Sequence, residues 1–86
     1  MKENISNIWL QFLCENLIVL SWGISQISQT NGSLRFKVNG NNYKGFVLIE
    51  CHGEKYDIFF ENTDTRIRKI SIDDITMTID KFVEQS

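Results

Sequence analysis

The sequence predicts an α+β domain in two layers: an N-terminal helix, an antiparallel β-meander of four to five strands, and a C-terminal helix. Three observations carry this. Residues 34–60 hold three runs of alternating apolar and polar residues, separated by two short reversals. Apolar residues recur at helical spacing before and after them, in residues 5–13 and 72–83. A sheet with one apolar face must bury it, and two amphipathic helices on that face are the simplest cover.

The meander is the organising stretch. Strand side chains alternate between faces, so Leu34, Phe36 and Val38 share one face while Arg35 and Lys37 point the other way. Asn39-Gly40-Asn41-Asn42 follows, and Asn and Gly tolerate the backbone conformations of tight hairpins. A turn centred on Gly40 and Asn41 sets Val38 opposite Tyr43, Phe36 opposite Gly45 and Leu34 opposite Val47. A second reversal at Gly53-Glu54 sets Cys51 opposite Tyr56, Ile49 opposite Ile58 and Val47 opposite Phe60. Both reversals agree on which residues face inward, and a one-residue slip would turn that apolar set outward.

The flanks follow in chain order. Ile5, Ile8, Trp9, Phe12 and Leu13 fall at helical spacing, Asn4 can cap the start and Asn16 can stop the helix in a left-handed conformation, which predicts a helix over 5–15. Residues 17–22 open with a short apolar run, Leu17 to Leu20, that fits a buried strand better than more helix, with a helix continuing to Trp22 as the alternative. Gly23 to Gly32 reads as a polar loop, or as a short strand around Ile24 and Ile27. Beyond the meander, Asn62 to Thr65 makes a turn, and Arg66 to Ile70 an edge strand whose cations discourage pairing with another chain. Ser71-Ile72-Asp73-Asp74 has capping-box spacing with Asp in place of Glu. Ile72, Ile75, Ile79, Phe82 and Val83 then mark the C-terminal helix.

Size and composition bound the function. Residues 1–86 make one domain, and a chain this short buries about 60–65% of its unfolded surface. With 42% hydrophobic and 23% charged residues it has the composition of a folded domain, and a net charge of -2 argues against a dedicated nucleic-acid binder. Cys14 and Cys51 are too few for a disulfide framework, no segment reads as a signal peptide, and no apolar run is long enough to span a membrane. A cytoplasmic protein with reduced thiols, without membrane contact, is expected. The lack of Pro and Ala beside many Ile, Asn and Lys suggests an AT-rich bacterial or phage genome.

Chemistry-bearing motifs are sparse. His52, the sole histidine, neighbours Cys51, but adjacent strand residues point to opposite faces and make a poor nucleophile–base pair. Cys14, Cys51 and His52 lack the spacing of a zinc site. Glu50 and Asp57 come near each other across the second hairpin, on an outer face that offers no cleft to shift a carboxyl group. Phosphate-binding, dinucleotide-binding and nucleophile-elbow motifs are absent. The expectation is no enzyme, no metal and no cofactor.

The outer face of the meander is the informative surface. In the register above it carries Arg35, Lys37, Lys44, Phe46, Leu48, Glu50, Asp57, Phe59 and Glu61. Leu48 lies opposite Phe59 with Phe46 close by, an apolar patch ringed by charges of both signs, which is the composition of a protein interface. The alternative is that a terminal helix or the 23–32 segment covers it. The sequence therefore points to a module that binds a protein partner, or a second copy as a homodimer, through Phe46, Leu48 and Phe59 with Arg35, Lys37 and Lys44 around them. The competing reading is single-stranded nucleic-acid binding, with Phe46 and Phe59 stacking bases and Arg35, Lys37, Lys44, Arg66 and Arg68 meeting phosphates. Glu50, Asp57 and Glu61 disfavour it.

The order of elements, with Leu17 to Gly23, Gly32-Ser33-Leu34-Arg35-Phe36, Lys44-Gly45-Phe46-Val47 and Tyr56-Asp57-Ile58 before an acidic amphipathic helix, resembles small uncharacterised helix-meander-helix proteins of phages and bacterial mobile elements. The resemblance implies context rather than chemistry: an accessory factor or inhibitor acting on a host protein. The order also looks like that of a double-stranded RNA-binding domain, but the Lys-rich start of that family's last helix is replaced by Asp73-Asp74, which rejects it.

Overall fold

The computed structural model describes residues 8, 12, 16–30 and 32–84. Helix α1 (Asn16–Leu20) precedes strands β1 (Ser25–Gln29), β2 (Ser33–Asn39), β3 (Lys44–His52), β4 (Lys55–Phe60) and β5 (Arg66–Ile70). A 3-10 turn (Ile72–Asp74) then leads into helix α2 (Ile75–Val83). The strands form one antiparallel sheet in chain order, so the fold is α+β with the upper number of expected strands.

Alternation decides the faces as expected. In β2 and β4 every second residue is buried, and Leu34, Phe36, Val38, Val47, Ile49, Tyr56, Ile58 and Phe60 are all at most 1% exposed. Ile75, Ile79 and Val83 of α2 join the same core, as do Ile8 and Phe12, both helical and buried. Phe12 meets Trp22 and Phe36 edge-on. The rest of the helix expected over 5–15, with its Asn4 cap and Cys14, lies outside the described residues.

The second hairpin adopts the expected register, Cys51 opposite Tyr56 and Ile49 opposite Ile58. The first does not. Val38 faces Gly45, Phe36 faces Val47 and Leu34 faces Ile49, a slip of two residues that leaves Gly40 to Tyr43 as a four-residue loop. The cause is tertiary: this loop caps α2. The Asn42 and Tyr43 amides donate to the Val83 carbonyl at 2.7 and 3.1 Å, and the Asn42 side chain donates to the Phe82 carbonyl at 3.0 Å. These are carbonyls a helix end leaves unpaired. Because the slip is even, every side chain keeps its face.

Residues 17–22 also depart from expectation. Leu17–Leu20 is helical, and Asn16 lies within the helix instead of stopping it. Ser21, Trp22 and Gly23 donate back to the carbonyls of Ile18, Val19 and Leu20, and the Trp22 carbonyl accepts the Asn39 amide at the end of β2 at 2.6 Å. Gly23, at φ 63°, supplies the left-handed stop. Trp22 is thereby buried, and its indole N–H donates to Asp80 Oδ1 of α2 at 3.1 Å.

The segment 23–32 is not a cover. It supplies β1, which pairs with β2 and widens the sheet. Both edge strands contain a one-residue irregularity, at Gln26 (φ 52°) in β1 and at Lys69 (φ 59°) in β5. Such bulges twist an edge away from foreign strands. At Ser71 the capping box is not formed: its hydroxyl donates to the Asp74 carboxylate at 3.1 Å rather than capping a backbone amide, and α2 begins only at Ile75. An Asp side chain is one methylene shorter than Glu and does not reach back.

Candidate functional site

The antiparallel register writes the outer face as rungs. One runs Arg35–Leu48–Phe59–Arg66 across β2 to β5. Beside it lie Lys37 and Phe46, with Glu61 following β4 and donating its amide to the Phe46 carbonyl at 3.0 Å. On the other side Ser33, Glu50 and Asp57 form the next rung, and His52 stands opposite Lys55 beyond it. Phe46, Leu48 and Phe59 are each half-buried, in contrast to the fully buried inner face.

Arginines lie over these rings. The Arg35 guanidinium sits 3.7 Å from the centre of Phe46 and pairs with Glu61 through two hydrogen bonds, Nε to Oε2 at 2.7 Å and Nη2 to Oε1 at 3.0 Å. The Arg66 guanidinium sits 5.0 Å from the centre of Phe59, with Nη1 at 3.4 Å from Glu50 Oε1. One arrangement thus occurs twice: a cation on an aromatic face, held by a carboxylate that reaches it across the strand between them. Hydrogen bonding to Arg35, reinforced by its charge, holds the Glu61 carboxyl below the usual carboxylate range, and the same contact raises Arg35.

Tyr43 fixes the end of this face. Its hydroxyl lies 2.8 Å from the Phe46 carbonyl and 2.7 Å from the Glu61 carbonyl, sharing one proton between them. Its ring packs edge-on against Phe60 and Phe82. Burial first, and the Glu61 charge second, push the phenol above its ordinary value.

Of the residues expected to bind a partner, Arg35, Lys37, Phe46, Leu48 and Phe59 are assembled on one face. Lys44 is drawn aside: its ammonium donates to the Gly40 carbonyl at 3.0 Å, and with Lys37 it lines an open groove of about 430 Å³. The pairing of Glu61 and Glu50 with arginines was missed, although the register puts Glu61 beside Phe46. Two of the five cations expected to meet phosphates, Arg35 and Arg66, are therefore already held by carboxylates. Cys51 is half-buried against the core and His52 is exposed. Among the described residues no helix is long and apolar enough to cross a membrane. Comparisons with protein-family models, curated proteins and solved structures found no match, so the function is argued from this face alone.

Proposed function

We propose that this chain is a non-enzymatic interaction module that binds a protein partner, another chain or a second copy, through the outer face of its sheet. Phe46, Leu48 and Phe59 form the apolar centre and Arg35 and Lys37 the surrounding cations, with Lys44 at the edge, turned to the Gly40 carbonyl. The observation that carries this is the Arg35–Leu48–Phe59–Arg66 rung, where a half-buried apolar pair is flanked by two arginines stacked on phenylalanine rings. Aromatic side chains and arginine are the residues enriched at the centres of protein interfaces.

The reading takes the domain as two layers, with both end helices on the inner face, supported by Ile8, Phe12, Ile75, Ile79 and Val83 sharing one core. That arrangement leaves the outer face for recognition. A cytoplasmic accessory or inhibitor protein of a phage or mobile element is the version that the resemblance implies.

The test is Phe59→Asp. Phe59 points away from the core, so the variant should fold with an unchanged circular dichroism spectrum. Light scattering over a concentration series and paired capture from cell extract with wild-type and variant bait then measure association. A charge placed at the centre of the interface should weaken self-association or partner retention at least about tenfold, or 1.4 kcal/mol. A folded variant that associates and captures as wild type does would overturn the reading.

A further inference from the structure

We infer that Glu50, His52 and Asp57 form a binding site for one divalent transition-metal ion of the zinc type. Their placement follows from strand geometry. Glu50 and His52 are two apart on β3 and share the outer face, and Asp57 is the β4 residue directly opposite Glu50. One donor atom from each falls within 4.8 Å of the other two. His52 Nε2 lies 3.5 Å from Asp57 Oδ2 and 3.8 Å from Glu50 Oε1. Ligands about 2.1 Å from a tetrahedral ion stand about 3.4 Å apart, so the His52–Asp57 separation already matches, and the other two, 3.8 Å from His52 to Glu50 and at most 4.8 Å between the carboxylates, close by rotation of the exposed His52 and half-buried Glu50 side chains.

The donor set selects the ion. One imidazole nitrogen and two carboxylate oxygens suit zinc and its neighbours, whereas magnesium and calcium take oxygen alone. Three protein ligands leave a fourth position open to solvent, the pattern of a reactive or bridging site rather than a closed structural one. Asp57 is also positioned from outside the cluster. The left-handed Lys69 in β5 turns its amide to Asp57 Oδ1 at 3.2 Å, which leaves Oδ2 for the side facing His52. Supporting contacts of this kind orient metal ligands. Two cations oppose the ion: Arg66, on Glu50, and Lys55, on the rung of His52.

The experiment is calorimetric titration of chelator-treated, tag-free protein with zinc chloride, repeated on His52→Ala and Arg66→Gln. Wild type should bind one ion saturably and melt at a higher temperature with zinc present. His52→Ala should lose at least about tenfold in affinity, while Arg66→Gln should bind as tightly as wild type or more so. Zinc-induced changes in amide spectra should centre on residues 50–57. Absence of saturable binding to the folded wild type, or equal binding by a folded His52→Ala variant, would overturn the site.

Discussion

Gly40→Ala tests the contact that distinguishes the observed first hairpin from the expected one. Gly40 is buried where the β2–β3 loop meets the end of α2. A Cβ there would overlap Val83 Cγ1 and lie 2.6 Å from the Val83 carbonyl oxygen. That oxygen accepts the Asn42 and Tyr43 amides at 2.7 and 3.1 Å. Relief of the overlap requires the loop and helix to part by about 0.8 Å, which takes both bonds to or past the limit of useful geometry. Two such bonds contribute about 1–3 kcal/mol, and residual overpacking costs about 1–3 kcal/mol where the loop does not move. The two are partly alternatives, so the expected loss is about 2–4 kcal/mol, or about 10–25 °C in a domain of this size. Thermal unfolding followed by circular dichroism, with urea titration followed by Trp fluorescence, measures it. Gly32→Ala is the control, because nothing lies within 4 Å of its added carbon. Equal melting temperatures for the two variants would refute the loop-capped helix.

Two further predictions concern the scaffold of the outer face. The folded-state carboxyl of Glu61 lies below its ordinary value of 4.5. Its contribution to stability is therefore present above that value and is lost as pH falls through the lower, folded-state value. Glu61→Gln should flatten this acid limb of the stability–pH curve, and an unchanged limb would show that the Arg35 pair is not formed in solution. Tyr43→Phe should cost about 1 kcal/mol, or about 4–8 °C, through loss of the shared hydroxyl proton. Since the Tyr43 phenol is raised, its stabilising effect is full below the ordinary tyrosine value and is lost as pH climbs from there through the raised, folded-state value. The variant should lack that alkaline component in pH-dependent melts, and an identical alkaline limb would count against the buried hydroxyl.

Much of the architecture was legible because it rests on parity. The second hairpin and α2 follow from periods of two and 3.6 that only one arrangement satisfies, whereas β5 is bulged at Lys69 and sets Ile67 and Ile70 three residues apart. The first hairpin was not, since Asn39-Gly40-Asn41-Asn42 admits loops of two or four residues that put the same side chains inward. Only Val83, distant in sequence, chooses between them. Leu17 to Leu20 is too short for periodicity to separate helix from strand, and its deciding signal was Gly23 rather than Asn16. β1, Ser-Gln-Ile-Ser-Gln, has one apolar residue and a bulge, so it offers no alternation to read.

The outer face shows where pattern ends and side-chain geometry begins. Parity places Phe46, Leu48 and Phe59 outside, but it does not say that Arg35 and Arg66 lie over two of them, because the direction of a long side chain depends on what it reaches. The reach comes from Glu61 and Glu50, two of the acids that the sequence set against nucleic-acid binding. Their effect on recognition follows from relative magnitudes. Ion pairs open to water are screened and contribute little net stability, whereas fully burying a Phe side chain contributes about 1.5–3 kcal/mol. A docking surface can therefore displace the arginines, or stack on them in place, and still gain from the rings beneath. In the free chain the same arginines reduce the apolar area shown to water.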